Sequence, residues 1–349
     1  MLQIFLVTFP FFALIAAGYA AARGRVLPLE AIPGLNTFVL YFALPCMLYR
    51  FGASTPIAQL LDGSVALVWG VCALLLVGGV VWWTRNPRIG WNDAAFGALV
   101  AAFPNTGFMG VPLLAALLGP AAAGPVIITI TFDMVVTSSL CIALSRLDGA
   151  DEHGAEKGPH ARHWRVLTAP QGGARGLGRP GAAQAVKQAM RGMFVNPLPW
   201  SILLGALASA MQFTLYGPID RTVAMLADAA SPAALFTIGA VLARSALLNR
   251  ATPGQGLSRV GDVLPVVLVK LLVHPLLVYG LGRGAIALGL PLGEPALVAI
   301  VLVAALPSAS NVAMLAERFG ADNGRIARII LWTTVAAFVT FSLAVRWLR

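Results

Sequence analysis

Long apolar runs cover most of this chain and restrict the folds that it can adopt. Of its 349 residues, 58% are hydrophobic and only 11% are charged, whereas a soluble domain carries about 25% charged residues. A transmembrane helix needs about 20 consecutive apolar residues. The runs therefore predict an all-α polytopic membrane protein with ten spans, at residues 2–22, 33–51, 64–84, 94–118, 122–145, 197–215, 222–244, 262–282, 295–318 and 325–347.

The basic residues predict the orientation of these spans. Most of the 24 lysines and arginines fall in loops on one side of the ten-span scheme, which by the positive-inside rule is the cytoplasmic side. Both termini then face outward, and residues 147–196 form a polar cytoplasmic linker. The net charge of +10 reflects this topology, so we expect no nucleic-acid partner. A retained first span and a basic cytoplasmic face predict a location in the cell (inner) membrane.

Two of the predicted spans are interrupted at matching places. The fourth contains the segment 103–112, with Pro104, and the ninth contains the segment 306–311, with Pro307. Proline removes an intrahelical hydrogen bond, and hydrocarbon cannot satisfy the freed backbone groups, so each break must be buried in protein or line a wet cavity. Paired interruptions indicate the substrate site of a secondary transporter. The alternative is that the prolines merely kink packed helices.

The two halves of the chain also echo each other. Five spans precede the linker and five follow it, so the second half is inserted upside down relative to the first. Pro45 in the second span is matched by Pro232 in the seventh. We therefore expect a five-plus-five inverted repeat with two discontinuous crossed helices. The first repeat is 1–146, the cytoplasmic linker is 147–196, and the second repeat is 197–349.

The half-helices that follow the breaks are the candidate substrate site. Each new helix N-terminus offers free backbone N–H groups and about half a positive charge. The inverted repeat would bring the two breaks together near the membrane midplane. Such a cavity suits a small carboxylate. The residues expected to bind it are Asn105, Thr106, Gly107, Ser308, Ser310 and Asn311.

Asp133 lies about midway along the fifth predicted span, and Lys270 and His274 lie within the eighth. A central charge costs about 2.5–3.5 kcal/mol on insertion scales, so it is usually paired or wet. In one interpretation Asp133 takes up a proton or helps to hold a cation such as Na⁺, while Lys270 or His274 balances substrate charge. In the other, Asp133 pairs with Lys270, or Lys270 extends to the cytoplasmic face. His274 is expected to donate to a backbone group freed by Pro275.

Other chemistries lack the residues that they need. Residues 176–181 match G-x-G-x-x-G, but no strand precedes them and Pro180 interrupts them, so a dinucleotide site is rejected. Three linker histidines have no cysteines or spaced carboxylates beside them to complete a metal site. Asp133 is the one carboxylate at mid-membrane depth, whereas an aspartyl protease needs two. We expect neither an enzyme nor a bound metal or cofactor.

The interrupted segments also carry a family resemblance. Residues 105–113, and residues 307–313 running into Phe319 and Gly320, resemble the two signature regions of the auxin efflux carrier family. That family includes bacterial carriers assigned to malonate, which this chain resembles, and plant auxin exporters. The resemblance covers nearly all of the chain except 147–195. It implies a fold shared with bile-acid sodium symporters, substrate binding at the helix crossing, and elevator-like motion against a scaffold of spans one, two, six and seven.

Together these observations predict a secondary carrier of small organic anions that works by alternating access around Asn105 and Asn311. Malonate or a related dicarboxylate is the candidate within that class. Alternatives are a receptor or sensor for a small carboxylate, an exporter of auxin-like aromatic carboxylates, and a channel. The sequence contains no nucleotide-binding motif, and it leaves open Na⁺, protons or no coupling ion, the direction of transport, and a homodimer.

Overall fold

Helices account for almost all of the structure in the computed structural model, which describes residues 2–54, 62–119, 122–147, 197–251 and 260–348. No strand occurs within these ranges. The linker motifs, including the three histidines and the G-x-G-x-x-G match, lie outside the described residues. In chain order the helices are α1 (Leu2–Arg23), α2 (Leu29–Ser54), α3 (Gly63–Thr84), α4 (Trp91–Ala102), α5 (Thr106–Leu118), α6 (Ala123–Leu144), α7 (Pro197–Ala210), α8 (Gly217–Ala251), α9 (Gly261–Ala287), α10 (Glu294–Ala304), α11 (Asn311–Phe319) and α12 (Asn323–Leu348).

Six of the described helices are long and apolar enough to cross a membrane: α2, α3, α6, α8, α9 and α12. Shorter apolar segments lie in α1, α5, α7 and α10. Large apolar side chains are exposed along these helices, including Leu74 and Trp82 of α3 and Val335 of α12. Extensive exposed apolar surface marks contact with membrane or another protein. The chain is therefore a multi-pass membrane protein.

Both predicted interruptions are present. α4 ends at Ala102 and α5 begins at Thr106, with Pro104 between them. α10 ends at Ala304 and α11 begins at Asn311, with Pro307 between them. The half-helices that lead into the breaks are deeply buried, since every residue from 94 to 102 and from 299 to 304 is shielded. The breaks therefore lie inside the protein, away from lipid.

Four of the described helices contain a five-residue π-helical segment. The segments are Val39–Ala43, Thr106–Gly110, Asp133–Thr137 and Val269–Val273. Three of them end two residues before a proline, at Pro45, Pro112 and Pro275. A proline ring clashes with the carbonyl four residues earlier, and a wider turn relieves that clash. The segment at Asp133 has no such proline, and isolated π turns of this kind are frequent at functional sites.

Two helix pairs approach so closely that only glycine fits. α1 packs on α8 at Gly18 and Gly239, and α2 packs on α7 at Gly52 and Gly205. A Cβ at any of these positions would lie between 1.9 and 2.6 Å from a carbonyl oxygen of the partner helix. Small residues let membrane helices pack backbone to backbone. Gly18 and Gly205 are 187 residues apart, and so are Gly52 and Gly239, so the same contact occurs twice, each time between a helix of the first half and a helix of the second.

Candidate functional site at the paired helix breaks

The two breaks lie against each other and pair as two antiparallel strands do. The Asn105 N–H donates to the Pro307 carbonyl at 2.8 Å, and the Ala309 N–H donates to the Phe103 carbonyl at 2.9 Å. Together they form an isolated antiparallel bridge. The proline-interrupted backbone is thus satisfied across the crossing, as buried backbone groups must be. The sequence did not reveal this pairing.

Side chains from neighbouring helices satisfy further groups at the second break. The Lys270 ammonium of α9 donates to the carbonyl of Ala304, the last residue of α10, at 2.9 Å. The Ser308 N–H donates to the Thr333 hydroxyl of α12 at 3.3 Å. Part of the donor set expected to be free is therefore already bonded. Thr333 was not predicted, although a hydroxyl beside a second threonine in an apolar span could have drawn attention to it.

Three polar side chains at the crossing hold an unsatisfied atom. The side-chain carbonyl oxygens of Asn105 and Asn311 and the hydroxyl oxygen of Ser308 are buried and have no hydrogen-bond partner among the described residues. Asn105 is only 3% exposed. It precedes α5 at the N-cap, where asparagine usually accepts a backbone N–H, yet it makes no such bond. Buried polar groups are nearly always bonded, so these atoms are candidates for contact with a ligand.

The other predicted binding residues differ in their surroundings. The Thr106 hydroxyl is fully buried and donates to the Pro104 carbonyl at 3.4 Å. Gly107 and Ser310 are half-buried. A Cβ placed on Gly107 would meet nothing within 4 Å. There is therefore open space beside the start of α5, next to the unsatisfied amide of Asn105.

Asp133 lies fully buried in the π segment of α6. Its Oδ1 accepts from the Trp69 indole N–H of α3 at 3.0 Å and from the Thr137 hydroxyl at 2.9 Å. The Ser138 hydroxyl donates to the Asp133 main-chain carbonyl at 2.9 Å. Its Oδ2 is buried without a partner among the described residues. Trp69 was not predicted, although a buried indole N–H needs an acceptor.

Lys270 and His274 form a second buried group on α9, with 0% and 1% exposure. Their side-chain nitrogens Nζ and Nδ1 are 3.0 Å apart. The expectation that Lys270 extends to the cytoplasmic face is wrong, because its ammonium has found buried partners instead. A direct ion pair with Asp133 is absent from the described residues at 4.0 Å or less, although the two charges interact through space.

The His274 ring lies between the main chain of α4 and the side chain of Trp69 on α3. It interacts with the Ala101 main chain of α4, and its centroid is 5.4 Å from that of the Trp69 ring. The expectation that His274 serves a backbone group freed by Pro275 stays a prediction. The predicted residues thus fall into two sets. One set lies at the crossing, and the other is the buried ionisable group of Asp133, Lys270 and His274. Lys270 and His274 connect the two sets.

Comparison with known proteins agrees with this arrangement. A "Putative malonate transporter" of Rhizobium meliloti (strain 1021) is 31% identical over 340 residues, which cover 95% of this chain and 91% of that protein. "Auxin efflux carrier component 8" of Arabidopsis thaliana is 22% identical over 272 residues, 68% of this chain and 71% of that protein. "Auxin efflux carrier component 3a" of Oryza sativa subsp. japonica is 29% identical over 118 residues, 32% of this chain and 18% of that protein.

The family model described as "Membrane transport protein" matches residues 4–345. The match spans both breaks, the buried network and the glycine-packed helix pairs. The predicted resemblance to auxin efflux carriers is confirmed. This chain belongs to the membrane transport protein family, the family of the auxin efflux carriers.

Proposed function

We propose that this protein is a secondary transporter that carries small organic anions by alternating access. The proposed site is the crossing of the two breaks, with Asn105, Thr106, Gly107, Ser308, Ser310 and Asn311 around it. The observation that carries the proposal is that Asn105, close to the open space at Gly107, and Asn311 each keep a side-chain carbonyl oxygen that no described residue holds, so that neither amide is fixed through that oxygen and its N–H donors can serve an anion. An asparagine side chain has two donors and one acceptor, which suits a carboxylate and its hydration water.

Two of the helix ends at the crossing are N-termini, which favour an anion, whereas α4 and α10 end there with C-termini that favour a cation. α5 and α11 both begin there, and a helix N-terminus carries about half a positive charge. The name of the Rhizobium meliloti relative adds a substrate class, since it is described as a malonate transporter. Malonate or a related dicarboxylate is therefore the proposed substrate. The names of the plant relatives support an aromatic carboxylate exporter as a second candidate.

We also propose a five-plus-five inverted repeat, comprising 1–146 and 197–349 joined by the cytoplasmic linker 147–196. The shared separation of 187 residues between equivalent glycine contacts supports it. The helices joined by those contacts, α1, α2, α7 and α8, would form the scaffold, and the helices around the breaks would move as a unit. Both termini would face outward, in the cell membrane. We also propose a homodimer.

Ion coupling is proposed at Asp133, with Lys270 and His274 in the same buried network. Asp133 is fully buried, and its Oδ2 is available to take up a proton or to join a Na⁺ site. Its π segment is not explained by a proline, and irregular turns of this kind recur at functional positions. A buried ionisable residue in a membrane span is by default a functional candidate.

The test is counterflow of radiolabelled malonate into proteoliposomes, with imposed Na⁺ and pH gradients. Saturable counterflow is expected and would exclude a receptor or a simple channel. Competition by excess indole acetate without competition by unlabelled dicarboxylates would favour the aromatic exporter. Failure of every tested carboxylate to exchange would contradict the proposal.

A further inference from the structure

We infer that Lys270 and His274 are positioning residues that fix the ends of both interrupted helices and thereby set the geometry of the crossing. This assigns Lys270 a role other than contact with the substrate. The inference deepens the proposed function and rests on it only for the transport measurement below. It rests otherwise on hydrogen bonds, burial and the positions of the helix ends.

The first observation is the bond from Lys270 to the end of α10. Ala304 is the last residue of that helix, and a continued helix would offer its carbonyl the N–H of Ser308. The break removes that donor, because Ser308 N–H bonds to Thr333. The Lys270 ammonium replaces it at 2.9 Å. A cation at a helix C-terminus is also favoured by the helix dipole.

The second observation is the equivalent position of His274 at the other break. Its ring interacts with the main chain of Ala101, one residue before the last residue of α4. Both half-helices that lead into the crossing therefore end beside α9, one bonded to Lys270 and the other next to His274. These two residues are only four positions apart and contact each other at 3.0 Å.

The third observation is that the local structure of α9 favours this juxtaposition. The π segment Val269–Val273 lies immediately before His274, and it accommodates Pro275. Residues i and i+4 are already neighbours on an α-helix, so both side chains point toward the same part of the protein. Asp133 supplies a through-space counter-charge for Lys270. Lys270 uses two of its three ammonium donors within the protein.

Hydrogen–deuterium exchange of the purified protein tests the inference without any substrate. The variants are K270M, which removes both charge and donor, K270Q, which keeps a donor, and T129V as a control. Thr129 is fully buried on α6, and its hydroxyl bonds only within its own helix, to Val126. In K270M we expect peptides covering 101–110 and 304–311 to exchange about tenfold faster, since a buried carbonyl loses its partner. K270Q should be intermediate and T129V unchanged.

The transport arm uses the same variants in malonate counterflow. K270M should lower kcat and raise KM together, because both breaks lose their fixed geometry, whereas K270Q should recover part of each. Unchanged exchange at both breaks in folded K270M would overturn the inference, and so would a raised KM alone, which would make Lys270 a substrate ligand. If K270M does not fold, the test relies on K270Q. Hydrogen–deuterium exchange in K270Q identical to that in T129V would then overturn the inference. Absence of transport in the wild type would contradict the proposed function but not the exchange result.

Discussion

The glycine-packed helix pairs and the paired breaks are held together in opposite ways. Where α1 meets α8 and α2 meets α7, backbone lies directly on backbone, and a single added carbon would collide with a carbonyl oxygen. Where the breaks meet, the backbone pairs by two hydrogen bonds, and side chains of α9 and α12 complete it. The first region is filled, whereas the second keeps unsatisfied polar atoms.

This difference shows where the molecule can tolerate change. Where two helix backbones are in direct contact, there is no space for a ligand and the helices cannot slide past each other. Such a contact suits a rigid scaffold. At the crossing, a polar group can exchange one hydrogen-bond partner for another. An anion or a water molecule can then replace a partner from within the protein. The four predictions below separate these two regions, beginning with the largest effect.

Enlarging a contact glycine should prevent folding. In G239A the new methyl would lie 1.9 Å from the carbonyl oxygen of Ile15, and neither helix backbone can move aside freely. We expect a loss of stability above the about 1–3 kcal/mol typical of an overpacked core, seen as loss of the monodisperse peak in size-exclusion chromatography. G78A is the control, because a Cβ on Gly78 meets nothing within 4 Å. A normal yield of folded G239A would contradict the view that the glycine-packed helix pairs tolerate no added atoms.

Removing an amide at the crossing should abolish transport while the protein still folds. N105A and N311A each delete an unsatisfied buried group, so stability should change little, whereas substrate loses a contact. We expect a fall in malonate counterflow of at least about a hundredfold, consistent with loss of a hydrogen bond to a charged group combined with misplacement of the substrate. N86A, exposed between α3 and α4, should behave as wild type. Wild-type rates in both crossing variants would remove the site.

Neutralising Asp133 should change the ion dependence of transport. D133N keeps the size of the side chain and an acceptor for Trp69, but it cannot carry a proton or a negative charge. We expect the response of counterflow and uptake to an imposed pH or Na⁺ gradient to be lost. D228N is the matched control, since Asp228 is exposed on α8. If D133N retains the wild-type dependence, Asp133 has a structural role.

The smallest effect should come from Thr333. T333V removes the acceptor of the Ser308 N–H, at a cost typical of one neutral hydrogen bond, about 0.5–1.5 kcal/mol. We expect KM to rise about threefold to tenfold. T334V is an adjacent control, because the buried Thr334 hydroxyl bonds to Ile330 within its own helix at 2.7 Å. Equal KM values in the two variants would mean that the second break does not depend on this bond.

Local rules predicted the breaks, because Pro104 and Pro307 are each followed by small polar residues, whereas helices continue through isolated prolines such as Pro10 and Pro232. Pro104 and Pro307 each fall between two helices, and the helices resume at Thr106 and Asn311. The sequence also identified Asp133, Lys270 and His274 as buried ionisable residues of interest. All three are at most 1% exposed.

The partners of these residues were harder to predict, since they come from distant parts of the chain. Asp133 is bonded to Trp69, 64 residues away, and Lys270 to Ala304, 34 residues away. For Lys270 the alternative of extension to the cytoplasmic face was wrong, because its side chain is fully buried, whereas pairing with Asp133 stays a prediction. Hydrophobic periodicity gives a helix but not the register between helices, so the strand-like pairing of the breaks could not be derived.

The most direct test of the account is an experimental structure determined with malonate bound. We expect the anion at the crossing, within hydrogen-bonding distance of the side-chain amides of Asn105 and Asn311, with the bond from Asn105 to Pro307 intact. Malonate bound elsewhere with the crossing empty, or the two broken segments lying apart, would contradict the account.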